Sequence, residues 1–470
     1  MNYDESVRAL LALGRELAAP RQPALSSAPG ARVQKFGLEN IATLSGALGN
    51  PHRAVPCVHI AGTNGKGSTA AMLESILRVA GLRTGLYTSP HLERINERIR
   101  VNGGNISDDD FAAAWSRVHA AIESLLASGA LAAHPTYFEC ITAMAFLAFT
   151  EKKVELAIYE VGLGGRLDST NIVVPEVAVI TSIDFDHENF LGHSIEEIAG
   201  EKAGIIKPGA WVVSSAERPE ARAVIARRSA EMNARLVEVD TLWRLEDVRV
   251  SEGCSRAMAS ASDSQAKIYL APALPGRFQL RNALTAAAAA RLLAERGVSI
   301  SDDAIARGIA AARWPGRLER ISEHPAVYVD GTHNTAGARE LVKFWDENFA
   351  GRRIWLVFGA MRDKAVDEIA GLLFPRAEAV ILTEPRQPRA ISVSLLAEMT
   401  AHLARKSLSI RDPGDALERA LEMAQPDDAV FATGSLYLVG DLHKYWAARY
   451  PDKISPAGAT AAPVRTSLTS

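Results

Sequence analysis

Hydrophobic residues along the chain fall into two recurring patterns. Short unbroken apolar runs, closed by Gly, Asp or His, alternate with longer stretches in which apolar residues return every three or four positions. The runs read as buried strands and the stretches as helices. The clearest unit lies near the start. Residues 57–61 predict a strand, a glycine-rich turn follows at once, and residues 68–80 place Met72, Leu73, Ile76, Leu77 and Ala80 on one helical face. Gly81 is placed to end that helix, and residues 84–88 predict the next strand. Strand, helix, strand is the signature of parallel pairing, which needs a long crossover.

Further buried-strand runs stand at 155–161, 177–183 and 210–215, and a strongly apolar helix is predicted at 140–149. Residues 251–267, rich in Ser, Ala and Gly, read as a surface loop or hairpin tip. From about Pro325 a second alternation begins, with strands at 326–330, 353–359, 378–383 and 429–433 and helices at 335–349, 364–374, 393–404 and 415–423. The fold class is therefore α/β. An ATP-binding domain of P-loop type with a mostly parallel sheet spans 1–313, a linker at 314–324 carries the hinge-like Trp314-Pro315-Gly316, and a smaller Rossmann-like α/β domain spans 325–450. The Pro, Ala, Ser and Thr tail at 451–470 reads as disordered.

Composition narrows the class. At roughly 100–200 residues per domain, 470 residues make about two to four. The chain is 48% hydrophobic and 23% charged, which is ample for large buried cores. Lys+Arg 52 against Asp+Glu 55 leave a net charge of −3, with no excess that would draw the chain to nucleic acid or a membrane surface. No apolar run reaches the ~20 residues of a membrane span, and the first residues lack the basic start and apolar run of a signal peptide. Cys57, Cys140 and Cys254 are too few and scattered for a disulfide framework. These features predict a soluble cytoplasmic enzyme.

The candidate chemistry gathers at predicted strand ends, where open α/β sheets bind ligands. Gly62-Thr63-Asn64-Gly65-Lys66-Gly67-Ser68-Thr69 lies between strand and helix. Its glycines let backbone N–H groups approach phosphate oxygens, the helix start favours negative charge, and Lys66 adds a cation. Ser68 or Thr69 supplies a hydroxyl for Mg²⁺, although Gly67 separates lysine from hydroxyl, unlike the common P-loop. Thr88-Ser89-Pro90-His91 follows the next strand, with Ser89 a possible metal ligand or part of a solvated loop. Glu139, read as preceding the 140–149 helix, is either a helix N-terminal charge or a hard oxygen ligand for Mg²⁺. The stretch from Gly162 to Asp168 reads as backbone approaching a ligand, with Arg166 and Asp168 available to it and no helix directly after. Asp184-Phe185-Asp186-His187 and Glu201-Lys202 add acids, an imidazole and a lysine that is either a surface salt-bridge partner or, beside an acid near a metal, open to carbamylation. Asp330-Gly331-Thr332-His333-Asn334 and Arg317 offer groups to a nucleotide or a reacting carboxylate.

In order and spacing these motifs resemble the folylpolyglutamate synthase/dihydrofolate synthase family of Mur-ligase-like, ADP-forming amide ligases. The resemblance runs from about Phe36 to Leu442. It is carried by Gly37-Leu38-Glu39-Asn40, the phosphate loop, Tyr87 to Leu92, Tyr137-Phe138-Glu139, Glu160 to Asp168, Glu201 to Gly204, Asp330 to Asn334 and Phe358 to Lys364. It implies ATP and Mg²⁺ as cofactors, dihydropteroate or reduced folate and L-glutamate as substrates, and a monomer. By the same resemblance, folate's carboxylate attacks the γ-phosphate of ATP and glutamate's amine then displaces phosphate. Gly62, Thr63, Asn64, Gly65, Lys66, Gly67 and Ser68 would cradle the phosphates, and Asn282, Arg317, Asp330 and His333 would also contact ATP. Ser68, Ser89, Glu139 and His187 would ligate magnesium, with the split between one ion and two left open. Lys66, His187 and Lys202 would form the catalytic set, Lys202 corresponding to the family's carbamylated lysine. Where the family often has an arginine after Gly-Leu-Glu in its pteroate-binding pattern, this chain has Asn40. The rival readings are another Mur-type amino-acid ligase and a nucleotide-binding regulator without turnover.

Overall fold

The strand predicted at 57–61 lies inside an eight-stranded sheet. In this computed structural model, residues 1–14, 37–251, 253–262 and 266–451 are described. Phe36 and the tail from 452 onward, read above as disordered, lie outside those residues. The chain divides into two units between Trp314 and Pro315.

In the first unit the strands are β1 (Cys57–Ala61), β2 (Thr84–Tyr87), β3 (Ile99–Val101), β4 (Gly104–Asn105), β5 (Leu156–Glu160), β6 (Val177–Ile180), β7 (Trp211–Ser214) and β8 (Arg235–Glu238). Their order is β4-β3-β2-β5-β1-β6-β7-β8. From β2 to β8 in this order all pairings are parallel, and the pairs β2–β3 and β3–β4 are antiparallel. Because β5 and β6 flank β1 on opposite sides, the chain reverses direction across the sheet there, the place where such sheets open a crevice.

Alternate strand residues face opposite cores, as a period of two requires. Val58, Ile60 and Ile158 join the core under the helices Lys66–Val79 and Phe278–Glu295, while Cys57, Ala157 and Tyr159 join the core under the helix Tyr137–Glu151. The first core is drawn tight by Gly308 in the helix Asp302–Ala311, where a Cβ would stand 2.4 Å from the Cα of Ile76. Both faces being covered explains why every residue of β1 and β5 is buried.

Several boundaries move for local reasons. The helix expected at 68–80 begins at Lys66, because the left-handed backbone of Gly65 (φ 84°) turns the chain straight into it. The strand expected at 177–183 ends at Ile180, and the next residues turn to meet the phosphate loop. The apolar helix expected at 140–149 begins at Tyr137, so Glu139 lies within its first turn instead of before it.

The stretch 251–267 is corrected more substantially. It belongs to a three-stranded antiparallel sheet of β9 (Trp243–Ser251), β10 (Cys254–Ala261) and β11 (Lys267–Leu270). Ser255, Ala257 and Ala259 are its buried alternates, and they are small because this face packs on the alanine-rich helix Phe278–Glu295. Small residues here mark a close sheet–helix contact. They do not mark a loop.

The second unit carries a six-stranded sheet of β12 (Glu319–Glu323), β13 (Ala326–Val329), β14 (Ile354–Phe358), β15 (Ala379–Leu382), β16 (Ser407–Ser409) and β17 (Ala429–Thr433). Its order is β12-β13-β17-β14-β15-β16, parallel except for β12. β12 falls within the stretch read as linker. The helix expected at 415–423 starts at Pro413, behind the capping carboxylate of Asp412. Among the described residues no helix is long and apolar enough to cross a membrane.

Candidate active site

At the carboxyl end of β1 the chain enters the turn Gly62–Gly65. Gly62 (φ 153°) admits no side chain, since a Cβ would lie 1.8 Å from Thr181 Oγ1. Gly65 is constrained twice, by its left-handed backbone and by Asn282, whose Oδ1 would stand 2.4 Å from a Cβ. No side chain caps the helix that follows. Its first N–H groups therefore face the turn with the positive end of the helix dipole, the arrangement that binds phosphate.

The end of β6 braces this loop. Thr63 N donates to Ser182 O (2.7 Å), Asn64 N to Ser182 Oγ (3.3 Å), and Thr181 Oγ1 to Asn64 O (2.8 Å). Thr63 Oγ1 donates to Asp184 O at 2.9 Å, tying the Asp184–His187 turn to the phosphate loop. Thr181 and Ser182 were not singled out in the sequence; two hydroxyl residues ending an apolar run were the available signal.

Two lysines converge on this loop. Lys66 Nζ donates to Gly62 O (3.0 Å) and Thr63 O (3.1 Å), and Lys202 Nζ also donates to Gly62 O at 3.0 Å. Lys202 is 4% exposed. Burial first and the charge of Lys66 second pull its ammonium down to about 7, against the opposing pull of Asp186 and Glu201. The surface salt-bridge alternative for Lys202 is thereby excluded.

The stretch from Gly162 to Asp168 seats the helix Ile195–Ala203 that bears Lys202. A Cβ on Gly165 would stand 2.7 Å from Glu201 O, and one on Gly204 would stand 2.4 Å from Arg166 Cβ. Arg166 pairs with Glu201 at 2.7 Å. Asp168 does not offer its carboxylate to a ligand as expected. It is buried and accepts from the N–H of Gly162, Leu163 and Thr170 and from Thr170 Oγ1. Instead of running on without a helix, the chain makes a 3₁₀ turn at Ser169–Ile172 with Asp168 as its N-cap.

The remaining oxygen and imidazole groups come from several elements: Ser89 follows β2, His187 follows β6, and Glu139 and Ser68 lie in the first turns of helices. Glu139 closes a capping box in which its Oε2 accepts from Thr136 N and Oγ1, both at 2.8 Å. Phe138, its neighbour, packs where a Cβ on Gly162 would be. Ser89 N donates to Glu160 Oε2 at 3.3 Å, at the end of β5. His187 has a left-handed backbone (φ 52°), and its Nε2 lies 3.8 Å from Asp186 Oδ1. Ser68 is buried in the first turn after the loop; Thr69 is buried deeper, and its hydroxyl has no partner. Among the described residues no three His, Cys, Asp or Glu side chains converge as a metal cluster. Serine hydroxyls and a carboxylate are hard oxygen donors that suit a cation such as Mg²⁺, which takes few protein ligands and relies on phosphate and water for the rest.

In the second unit Asp330 follows β13, its carboxylate accepting from Leu318 N and Thr332 N at 2.9 Å each. His333 Nδ1 lies 2.7 Å from Gly331 O, and a Cβ on Gly331 would meet Arg317 NH1 at 2.4 Å. Arg317, Asp330 and His333 are thus brought to one strand end. The ends of β14 and β17 adjoin it: Gly359 N donates to Thr433 O and Gly434 N to Thr332 O.

The chain pairs a parallel sheet bearing an uncapped phosphate loop with a second α/β unit, and both units match domains of the Mur ligases. Residues 60–290 match the Mur ligase middle domain and residues 316–436 the Mur ligase glutamate ligase domain. Within these ligases, the chain belongs to the dihydrofolate synthase/folylpolyglutamate synthase family. It is 40% identical over 418 residues to the dihydrofolate synthase/folylpolyglutamate synthase of Bacillus subtilis, covering 87% of this chain and 95% of that one. Mycobacterium tuberculosis folylpolyglutamate synthase (FPGS) complexed with ADP and AMPPCP superposes with a TM-score of 0.81 at 33% identity, covering 87% and 95% of the two chains. An FPGS–AMPPCP–folate complex gives 0.79 at 32% identity, covering 94% and 99%.

Proposed function

We propose that this chain joins L-glutamate to dihydropteroate and to the γ-carboxylate of reduced folates, at the expense of ATP. The observation that carries the reading is the uncapped, glycine-built phosphate loop with Lys66 and the buried Lys202 on one of its carbonyls. It is supported by family membership and by the nucleotide and folate ligands of similar structures.

The carboxylate oxygen attacks the γ-phosphorus and the bond to ADP breaks, giving an acyl phosphate. Glutamate's nitrogen then attacks the acyl carbon, phosphate leaves, and the amine gives up its proton. Both steps bring anions together, so the protein's part is positioning and charge neutralisation. The loop N–H groups hold the phosphates. Lys66, folded back on Gly62 and Thr63, swings to the transferring group. In this reading Ser68, Ser89, Glu139 and His187 hold Mg²⁺, whose positive charge neutralises phosphate oxygens when bound.

Lys202 at about 7 is substantially neutral near physiological pH. A neutral amine can add CO₂ and become a carbamate, which turns a cation into an oxygen donor. Asn282 takes further groups of the nucleotide; in the second unit, Arg317, Asp330 and His333 form a set of polar groups of their own at one strand end. We place the reaction in the cytoplasm, where the free thiols of Cys57, Cys140 and Cys254 are at home.

ADP release by the purified protein with MgATP and L-glutamate, measured with either dihydropteroate or tetrahydrofolate, tests the reading. Turnover with both supports it. Turnover with tetrahydrofolate alone reduces it to polyglutamylation, with Asn40 the first residue to test by substitution. Silence with both favours a different Mur-type acceptor.

A further inference from the structure

The first turn of the helix Phe278–Glu295 lies over the phosphate loop, and Gln279 and Asn282, three residues apart, share the face turned to it. Gln279 is wholly buried, at 0% exposure, an unusual place for a primary amide unless both of its ends are used. Its Oε1 accepts from Asn282 Nδ2 at 2.9 Å, and its Nε2 donates to Ser68 Oγ at 3.4 Å. A continuous chain of side chains therefore runs from Asn282, whose Oδ1 rests against Gly65, through Gln279, to the Ser68 hydroxyl.

The two links differ. The Asn282 bond has ordinary length, whereas the Ser68 bond is long and correspondingly weak. A hydroxyl that accepts the Gln279 N–H has its remaining lone pair and its proton directed elsewhere, so this bond biases the orientation of the Ser68 hydroxyl. Bonds of this kind tighten when the partner complex forms.

We infer that Gln279 is a positioning residue that couples the nucleotide contact made by Asn282 to the orientation of Ser68 as a cation ligand. The inference rests on the proposed nucleotide site and adds a residue to it. Nucleotide against Asn282 fixes the Gln279 amide, the amide fixes the Ser68 hydroxyl, and the cation then binds a ligand already aimed. By reciprocity, cation at Ser68 tightens the hold on nucleotide.

The test is binding of ADP to the intact protein by titration calorimetry, with Mg²⁺ and with EDTA, in wild type, Gln279→Met, Ser68→Ala and the double variant. Gln279→Leu stands in if Gln279→Met does not fold. The readout is the factor by which Mg²⁺ tightens ADP. Coupling predicts that this factor falls at least ~5-fold in either single variant and no further in the double, the lower end of usual coupling strengths. With EDTA, the Gln279 variants should lose less ADP affinity than they lose with Mg²⁺, since only the part of the coupling that runs through Ser68 depends on the cation. Losses that multiply in the double variant, or that are equal with Mg²⁺ and with EDTA, overturn the coupling and leave Gln279 as packing. Failure of the wild type to bind ADP under either condition instead refutes the nucleotide site itself.

Discussion

Lys66 and Lys202 aim their ammonium groups at one oxygen, the carbonyl of Gly62, each from 3.0 Å. Two cations on one acceptor repel, and burial removes the water that would screen them. Burial first, and this repulsion second, pull the Lys202 ammonium down to about 7 from its ordinary 10.5.

That shift fixes the sign of a stability effect. Because the folded state disfavours the ammonium, the unfolded chain binds the proton more readily between these two values. In CO₂-depleted buffer, the stability of the wild type falls as pH drops from near 10.5 towards about 7, and this contribution is fully lost below that. Lys202→Met removes the slope. Urea unfolding of both proteins at several pH values should find the variant's advantage largest below neutrality and shrinking towards pH 10. An advantage that grows with pH would mean that Asp186 and Glu201 hold the lysine charged.

His59 supplies an acid-side counterpart. It is buried on β1 with Nε2 2.8 Å from Thr170 Oγ1, and burial lowers it to about 3, with Lys207 adding to the shift. Neutral in the fold, it costs stability as pH falls from its ordinary 6.5 towards 3. His59→Gln should flatten the acid limb of the unfolding curve over that window, read by circular dichroism. An unchanged limb would place the acid sensitivity elsewhere.

Gly65→Ala meets two obstacles, a left-handed backbone that costs an L-residue about 1–2 kcal/mol and the Oδ1 of Asn282 in the way. ADP affinity should fall by about tenfold or more, equivalent to about 1.4 kcal/mol per decade. Calorimetric titration reads this directly. Wild-type affinity would show that phosphate does not use this turn.

Asp168→Asn replaces an oxygen that accepts N–H donors by an amide NH₂, setting donor against donor in a buried site. Each lost partner costs about 1–3 kcal/mol. The midpoint of thermal unfolding should drop, and turnover should fall with it through the seat of Lys202. Full activity with a lowered midpoint would separate the Gly162–Asp168 stretch from catalysis.

The parallel core was legible because solid apolar runs and 3.6-residue periods are written locally. β17 matches its predicted span, and the phosphate loop follows β1 as expected. The β9–β11 sheet was not legible. Its inner face is small because a helix presses on it, a fact about a partner some twenty residues downstream that the local pattern does not carry. The role of Asp168 was hidden in the same way. A carboxylate after a glycine-rich stretch reads as a ligand group until its backbone donors can be counted. Gln279 gave no signal either, since one amide at the start of an alanine-rich helix reads as a side chain facing water until its burial is seen. Ser68, Lys66, Lys202 and Asn282 were named from the sequence, and the structure sets all of them around one loop.

The proposed reaction phosphorylates the acceptor's own carboxylate. Its most direct test is to supply tetrahydrofolate labelled with oxygen-18 in the γ-carboxylate, together with MgATP and L-glutamate, and to analyse the released phosphate by mass spectrometry. The acyl-phosphate route transfers one labelled oxygen to phosphate for each amide formed. Amide formation with unlabelled phosphate would contradict it.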